Sequence, residues 1–205
     1  MKAQTVLTLI FICLFNNVYS SEFDLVPSPE GTFFYFAYGS NLLTKRLHVQ
    51  NPSANFYSAA KLKDYRLDFN MQTEAWQGAV ATIVEEEGKE VWGAVWTISN
   101  DQMHHLDDQE GVADGLYFPK NVTVTTRNGQ YLVARTYIEV QNPNITVNPW
   151  DLPPERRPSN TYLEVIALGA IESRLPAEYI GFIFSFPTNG KMATKERREQ
   201  LGYPF

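Results

Sequence analysis

The single cysteine of this 205-residue chain, Cys13, lies inside its first twenty residues. Those residues read as a secretory signal. Lys2 supplies one positive charge, Val6 to Phe15 form an apolar run broken only by Thr8, and Val18-Tyr19-Ser20 offer the small to medium side chains of a cleavage site. The run is too short to cross a bilayer. The alternative is an uncleaved N-terminal anchor, and no long apolar run continues past Ser20 to support it. Removing residues 1–20 from the 205 leaves 185 with no thiol, hence no disulfide and no cysteine nucleophile. An exported chain without cross-links has to be held by its apolar core, and this length suits one domain with a sizeable one. An aromatic content of 14% can furnish it.

Charge narrows the partners. The whole chain carries −6, and losing Lys2, the sole charge in residues 1–20, takes it to −7. There is no basic run, and an acidic surface repels phosphates, so neither nucleic acid nor an anionic membrane is expected as a partner. Two sequons, Asn121-Val122-Thr123 and Asn144-Ile145-Thr146, fit glycosylation at exposed positions. Each tripeptide also occurs by chance; together with the signal they favour an extracellular destination.

The pattern along the chain is many strands with helices inserted. Residues 21–32, with Pro27, Pro29 and Gly31, form an irregular lead-in. Phe33 to Tyr38 is an aromatic run with strong strand preference, stopped by Gly39-Ser40. Ser40 or Asn41 can cap a short helix through Val49. Strand-like segments follow at 59–70, 79–85 and 91–98, the last two joined at Glu86-Glu87-Gly88-Lys89, which reads as a hairpin connection. Ser99 and Gln102 are spaced as a capping box for a helix reaching about Gln109, with Gly111 placed to end it. Asn128-Gly129 is the strongest hairpin signal in the chain. On the strand after it, Leu132, Ala134, Thr136 and Ile138 share one side. After the proline-rich stretch Pro149–Pro158, Ser159 caps a helix whose stripe holds Tyr162, Leu163, Ile166, Ala167, Ala170 and Ile171. Pro176 starts another. The domain is expected over 33–187, with 188–205 a C-terminal tail. Antiparallel strands with helices between them predict an α+β fold rather than a doubly wound parallel sheet.

Chemistry has few places to sit. At Tyr38-Gly39-Ser40-Asn41 a glycine turns the chain out of a strand, and the amides of a helix start can cradle a carboxylate or an oxyanion. An ordinary capped helix explains the same residues. Glu110 falls at a helix C-terminus, where the dipole disfavours negative charge and helps a carboxyl keep its proton. A surface glutamate is the other reading. Glu85, Glu86 and Glu87 could be imagined on a metal, but neighbours on a turn do not converge. His104 and His105 are adjacent and point apart on a helix, so no metal centre is expected. There is no Gly-x-Ser-x-Gly elbow for a serine hydrolase.

Tyr35-Phe36-Ala37-Tyr38-Gly39-Ser40-Asn41-Leu42-Leu43 resembles the signature of the γ-glutamylcyclotransferase family. The likeness continues in order through Asn51-Pro52-Ser53-Ala54, Leu67-Asp68-Phe69, Ala81-Thr82-Ile83 and Glu90-Val91-Trp92-Gly93. It then takes in Leu106-Asp107-Asp108-Gln109-Glu110-Gly111-Val112, Arg135-Thr136-Tyr137 and Ser159 through Pro176. The resemblance implies a mixed, mostly antiparallel, barrel-like sheet with inserted helices. It also implies a cofactor-free reaction, in which the α-amine of a γ-glutamyl amino acid or peptide attacks its own γ-carbonyl and releases 5-oxoproline and the free amino acid. Glu110 would be the acid-base residue of this lyase-type cyclisation. Tyr35, Phe36, Ala37, Tyr38, Gly39, Ser40, Asn41 and Tyr137 would contact the substrate. For Tyr35 and Tyr137, half-buried strand residues are the plain alternative.

The expected partner is therefore a small γ-glutamyl molecule, with a homodimer admitted and no cofactor. Export widens the range of substrates met, from γ-glutamyl dipeptides and glutathione fragments to γ-glutamyl cross-links. Two rival readings stand beside this one. A γ-glutamylamine cyclotransferase acting on γ-glutamyl-ε-lysine would carry a Tyr-Gly-Thr-Leu type loop, unlike Ser40-Asn41 here. A catalytically silent secreted binding protein on the same scaffold would have no need of Glu110.

Overall fold

The computed structural model describes residues 24–204, so the signal expected at 1–20 lies outside the described residues. Five strands, β1 (Thr32–Ala37), β2 (Asn55–Thr73), β3 (Gly78–Ser99), β4 (Tyr117–Thr126) and β5 (Tyr131–Glu139), close into a barrel in the order β1-β3-β2-β4-β5. Neighbours are antiparallel except at the closing seam, where β1 and β5 run parallel with Tyr35 opposite Arg135. Helices α1 (Thr44–His48), α2 (Met103–Gln109), α3 (Asn160–Glu172), α4 (Ala177–Phe184) and α5 (Lys195–Leu201) complete an α+β fold around it.

The aromatic run does form β1, and from Phe34 to Tyr38 every residue is buried. Alternation alone would leave one face wet; here the barrel interior takes one face and other elements cover the second. Asn128-Gly129 makes the β4–β5 turn with Gly129 at φ +83°, and Leu132, Ala134, Thr136 and Ile138 are buried as their shared side requires.

Two local readings change. Glu86-Glu87-Gly88-Lys89 is not a hairpin. Lys63 faces Glu90 and Tyr65 faces Glu85, so the chain leaves β2 and rejoins the same partner within one continuous strand, β3. The four residues bulge outward opposite Asp64, whose Oδ1 accepts from the Gly88 amide at 2.9 Å. The segment after Gly39 is not one capped helix. A single 3-10 turn, Ser40–Leu42, is cut from α1 by Leu43 in an extended conformation, and no side chain caps either piece. The 99–102 box is likewise absent: Gln102 Oε1 accepts from the Ser53 backbone and hydroxyl (3.3 and 2.7 Å), and Ser99 makes no side-chain cap.

Ser159 caps α3 as its type predicts, accepting from the Tyr162 amide at 3.2 Å. Ile171 departs from the expected stripe and is exposed. Gly169 lets α3 lie directly on the Ser40–Leu42 turn. A Cβ there would fall 2.4 Å from the Leu43 nitrogen and 2.5 Å from the Leu42 carbonyl carbon. Residues 188–205 include α5, which folds back on the barrel: Leu201 is fully buried and the Arg197 guanidinium sits 5.0 Å above the Trp76 ring. Beneath the Pro149–Pro158 stretch, Arg156 donates to Phe69 O (2.9 Å) and to Asp68, which also takes Arg66 at 3.0 Å.

Candidate active site

β1 brings Tyr35, and the residue just after the strand, Tyr38, to one end of the barrel, and Gly39 turns the chain across it. The turn passes so close to β3 and α3 that a Cβ on Gly39 would meet Ala81 Cβ at 3.3 Å and the Tyr162 hydroxyl at 3.4 Å. As the start of a helix, the turn presents backbone N–H groups that lack intrahelical acceptors. The resulting cavity, about 40 Å³, is walled by Tyr35, the Tyr38–Asn41 turn and Glu110, and by Ala81, Tyr117, Tyr137 and Tyr162.

Glu110 arrives from the end of α2. Its amide still donates to Leu106 O at 3.0 Å, and Gly111, at φ +63°, turns the chain away. Glu110 Oε1 accepts from Asn41 Nδ2 at 3.0 Å and from Gln109 Nε2 at 3.3 Å. Asn41 is buried and fully used. Its Nδ2 also donates to the Tyr35 hydroxyl (2.9 Å), and its Oδ1 accepts from Gln109 Nε2 (3.0 Å). These bonds fix the carboxyl while Oε2 accepts nothing from the described residues. Burial pushes the Glu110 carboxyl above the ordinary carboxylate range. The nearby Arg46 charge and the bonds from Gln109 and Asn41 pull the other way, and Asp107 adds to the rise.

The tyrosines form a hydroxyl-lined wall. Burial, with Glu110 next in weight, lifts Tyr35 and Tyr38 well above 10, so both stay protonated. Tyr35 accepts from Asn41 and donates to no described residue, which leaves its proton for a ligand. The Tyr38 hydroxyl donates to the Tyr137 carbonyl, tying the turn to β5. The Tyr137 hydroxyl donates to Asp107 and accepts from Arg135 Nε at 2.8 Å, while Arg135 and Asp107 pair at 2.6 Å. That pair anchors the Tyr137 ring edge-on to Tyr35, with centroids 6.0 Å apart.

The structure thus assembles Glu110, Tyr35, Tyr38, Gly39, Ser40, Asn41 and Tyr137 around one space. Two residues from the same expected stretch do not line it. Phe36 is fully buried, on the face of β1 opposite Tyr35, against Gly93; Ala37 is buried and too short to reach the cavity. Tyr117 and Tyr162 were not anticipated. Tyr162 carried a weak sign, a polar tip in an otherwise apolar stripe; its hydroxyl accepts from the Ala81 amide at 3.0 Å. Among the described residues no cluster of His, Cys, Asp and Glu could hold a metal. Asn121 and Asn144 are exposed and stand apart from the cavity.

Residues 90–183 match the model of the AIG2-like family. The chain is 47% identical over 160 residues to the γ-glutamylcyclotransferase of Bos taurus, covering 76% of this chain and 79% of the relative. The Homo sapiens γ-glutamylcyclotransferase is 41% identical over 160 residues, with the same shares covered. A solved γ-glutamyl cyclotransferase superposes with a TM-score of 0.73 at 36% identity, over 83% of this chain and 98% of that one. By likeness of this extent the chain belongs to the γ-glutamylcyclotransferase family of enzymes.

Proposed function

We propose that the protein is a γ-glutamylcyclotransferase, cyclising γ-glutamyl amino acids or peptides to 5-oxoproline with Glu110 as general acid and base. The observation that carries the reading is the carboxyl of Glu110, held by Asn41 and Gln109, desolvated, with Oε2 free, in a cavity walled by tyrosine hydroxyls and the Gly39 turn.

The reaction is intramolecular, so the site has mainly to select the folded conformer and move protons. Well-oriented intramolecular attack reaches effective molarities of ~10⁵–10⁸ M, so confinement in the small cavity supplies much of the acceleration. Oε2 of Glu110 takes a proton from the α-ammonium, and the freed amine attacks the γ-carbonyl carbon. The developing oxyanion is met by N–H groups of the turn and by the Tyr35 proton. The C–N bond then breaks as Glu110 returns the proton to the leaving nitrogen, and the ring nitrogen gives up its remaining extra proton through the same carboxylate to the departing amine, which leaves as an ammonium. No water is consumed. A carboxyl shifted upward by burial is a better base for an ammonium than an ordinary glutamate and still releases its proton in the second half.

Purified protein should convert γ-glutamyl-alanine to 5-oxoproline and alanine, and Glu110→Gln, soluble and folded, should not. A wild type inert across a panel of γ-glutamyl compounds that nevertheless bind would instead support the silent binding protein. The reading also takes the chain as exported after cleavage near Ser20 and glycosylated at Asn121 and Asn144. N-terminal sequencing and glycosidase treatment of protein from a secreting host test this.

A further inference from the structure

Beside the small cavity lies a larger one of about 250 Å³, and the two share Ser40, Glu110, Tyr117 and Tyr162 in their walls. Across these shared walls a substrate that outgrows the first cavity would extend into the second. Its walls are partly apolar, with Met71, Trp76 and Leu116, and two arginines face it from different helices, Arg46 of α1 and Arg197 of α5.

Neither arginine has a carboxylate within 4.0 Å among the described residues, whereas Arg66, Arg135 and Arg156 each do. Arg46 is only 6% exposed, makes one side-chain bond, to Gln109 Oε1 at 3.3 Å, and leaves Nε buried without a partner. Arg197 is half-buried, donates from one terminal nitrogen to Gln200 at 2.7 Å and stacks on Trp76. Burial and the nearby Arg46 charge lower Arg197 to about 10, so it remains a cation at neutral pH. Arg46 has Glu110 as its nearby acid, whereas among the described residues no acid acts on Arg197, so the two guanidinium groups leave positive charge on the cavity for an anion. The other acidic residues on this cavity besides Glu110, Asp108 and Asp114, are exposed, on its solvent side.

Building on the cyclotransferase reading, we propose that Arg46 and Arg197 bind the carboxylate of the amino acid that departs. This subsite makes the enzyme select γ-glutamyl amino acids over γ-glutamyl amines. Planar guanidinium groups suit a carboxylate, and the apolar wall accepts the side chain beside it.

Arg197 provides the cleaner test, because Arg46 also acts on Glu110. Rates are compared on γ-glutamyl-alanine and on γ-glutamyl-ethylamide, which lacks only the carboxylate. Wild type should favour the alanine compound. Arg197→Gln should lower its kcat/KM ~30-fold, mostly through KM, and leave the ethylamide rate unchanged. Arg197→Lys should retain much of the preference. An unchanged alanine-to-ethylamide ratio in Arg197→Gln overturns the subsite, whether both rates hold or both fall. Should that variant fail to fold, Arg197→Lys decides: a retained alanine preference supports the subsite, and loss of that preference in the folded Lys variant overturns it. A wild type inert on both compounds refutes the cyclotransferase reading itself, and the subsite falls with it.

Discussion

Glu139, at the end of β5, is 1% exposed and is pushed up to about 7 from its ordinary 4.5, by burial above all. The Met71 amide bonds both its oxygens at 3.3 Å, Asn70 donates at 3.3 Å and the Tyr117 hydroxyl lies at 3.4 Å, all favouring the charge; Asp68 opposes it. Unfolded, the carboxyl titrates near its ordinary value. Below about pH 4 both states hold the proton and ionisation costs nothing; above about pH 8 both have lost it, and the folded protein carries a buried carboxylate. The folded value is the higher one, so this contribution is intact below the unfolded pKa and is lost as pH rises through about 7. At about 1.4 kcal/mol per pH unit, the loss amounts to roughly 3 kcal/mol. Glu139→Gln stays neutral throughout. Its amide group also sets a new donor against the Met71 N–H, but that penalty does not vary with pH. The stability difference between variant and wild type should therefore move by roughly 3 kcal/mol in the variant's favour between pH 4.5 and 8.5. Urea unfolding at half-unit intervals measures it. Parallel stability curves for the two proteins would refute the reasoning.

Asn41→Asp replaces a donor to Glu110 with a second negative charge, so Glu110 holds its proton more tightly still. The acid limb of the cyclisation rate should move to higher pH, with activity at neutral pH reduced and partly regained in alkali; a limb that stays put contradicts the geometry. Gly169→Ala forces a methyl into the backbone of Leu42 and Leu43 and should cost about 3 kcal/mol in denaturant unfolding, while Gly181→Ala on α4, with open space around it, should be neutral or stabilising.

What could be read in the sequence was what is local. An aromatic run broken by Gly39-Ser40 is a strand and a turn whatever surrounds it, and Asn128-Gly129 is a hairpin for the same reason. The bulge at Glu86–Lys89 has the composition of a hairpin tip, and only the partner strand separates the two. β2 is long enough to pair on both sides of it, a fact that lies in other residues. Glu110 could be placed by resemblance but not by its neighbours, since Asn41, which bonds its carboxyl, and Arg46, whose charge acts on it, are distant in sequence, 69 residues in the first case. The resemblance named a contiguous stretch as substrate contacts, yet a strand alternates, so Phe36 turned to the other face. Tyr117 and Tyr162 reach the cavity from the start of β4 and from α3, where each reads as ordinary core. Arg197 lies on a helix within what read as a tail.

The seam between β1 and β5 gives this enzyme a timetable. β1 is made first and can take its antiparallel partner only when β3 exists, and its parallel one only after Glu139 has been added. At synthesis rates of about 5–20 residues per second, roughly 5–20 s pass between the completion of β1 and that of β5. Through that interval Phe33, Phe34 and Phe36 have no barrel to enter, and they are the segment a chaperone would find. The cavity waits longer, because Tyr162 and the helix that seats the Gly39 turn come later still. Catalytic competence is therefore among the last properties the chain acquires, although half of the site is among the first residues made.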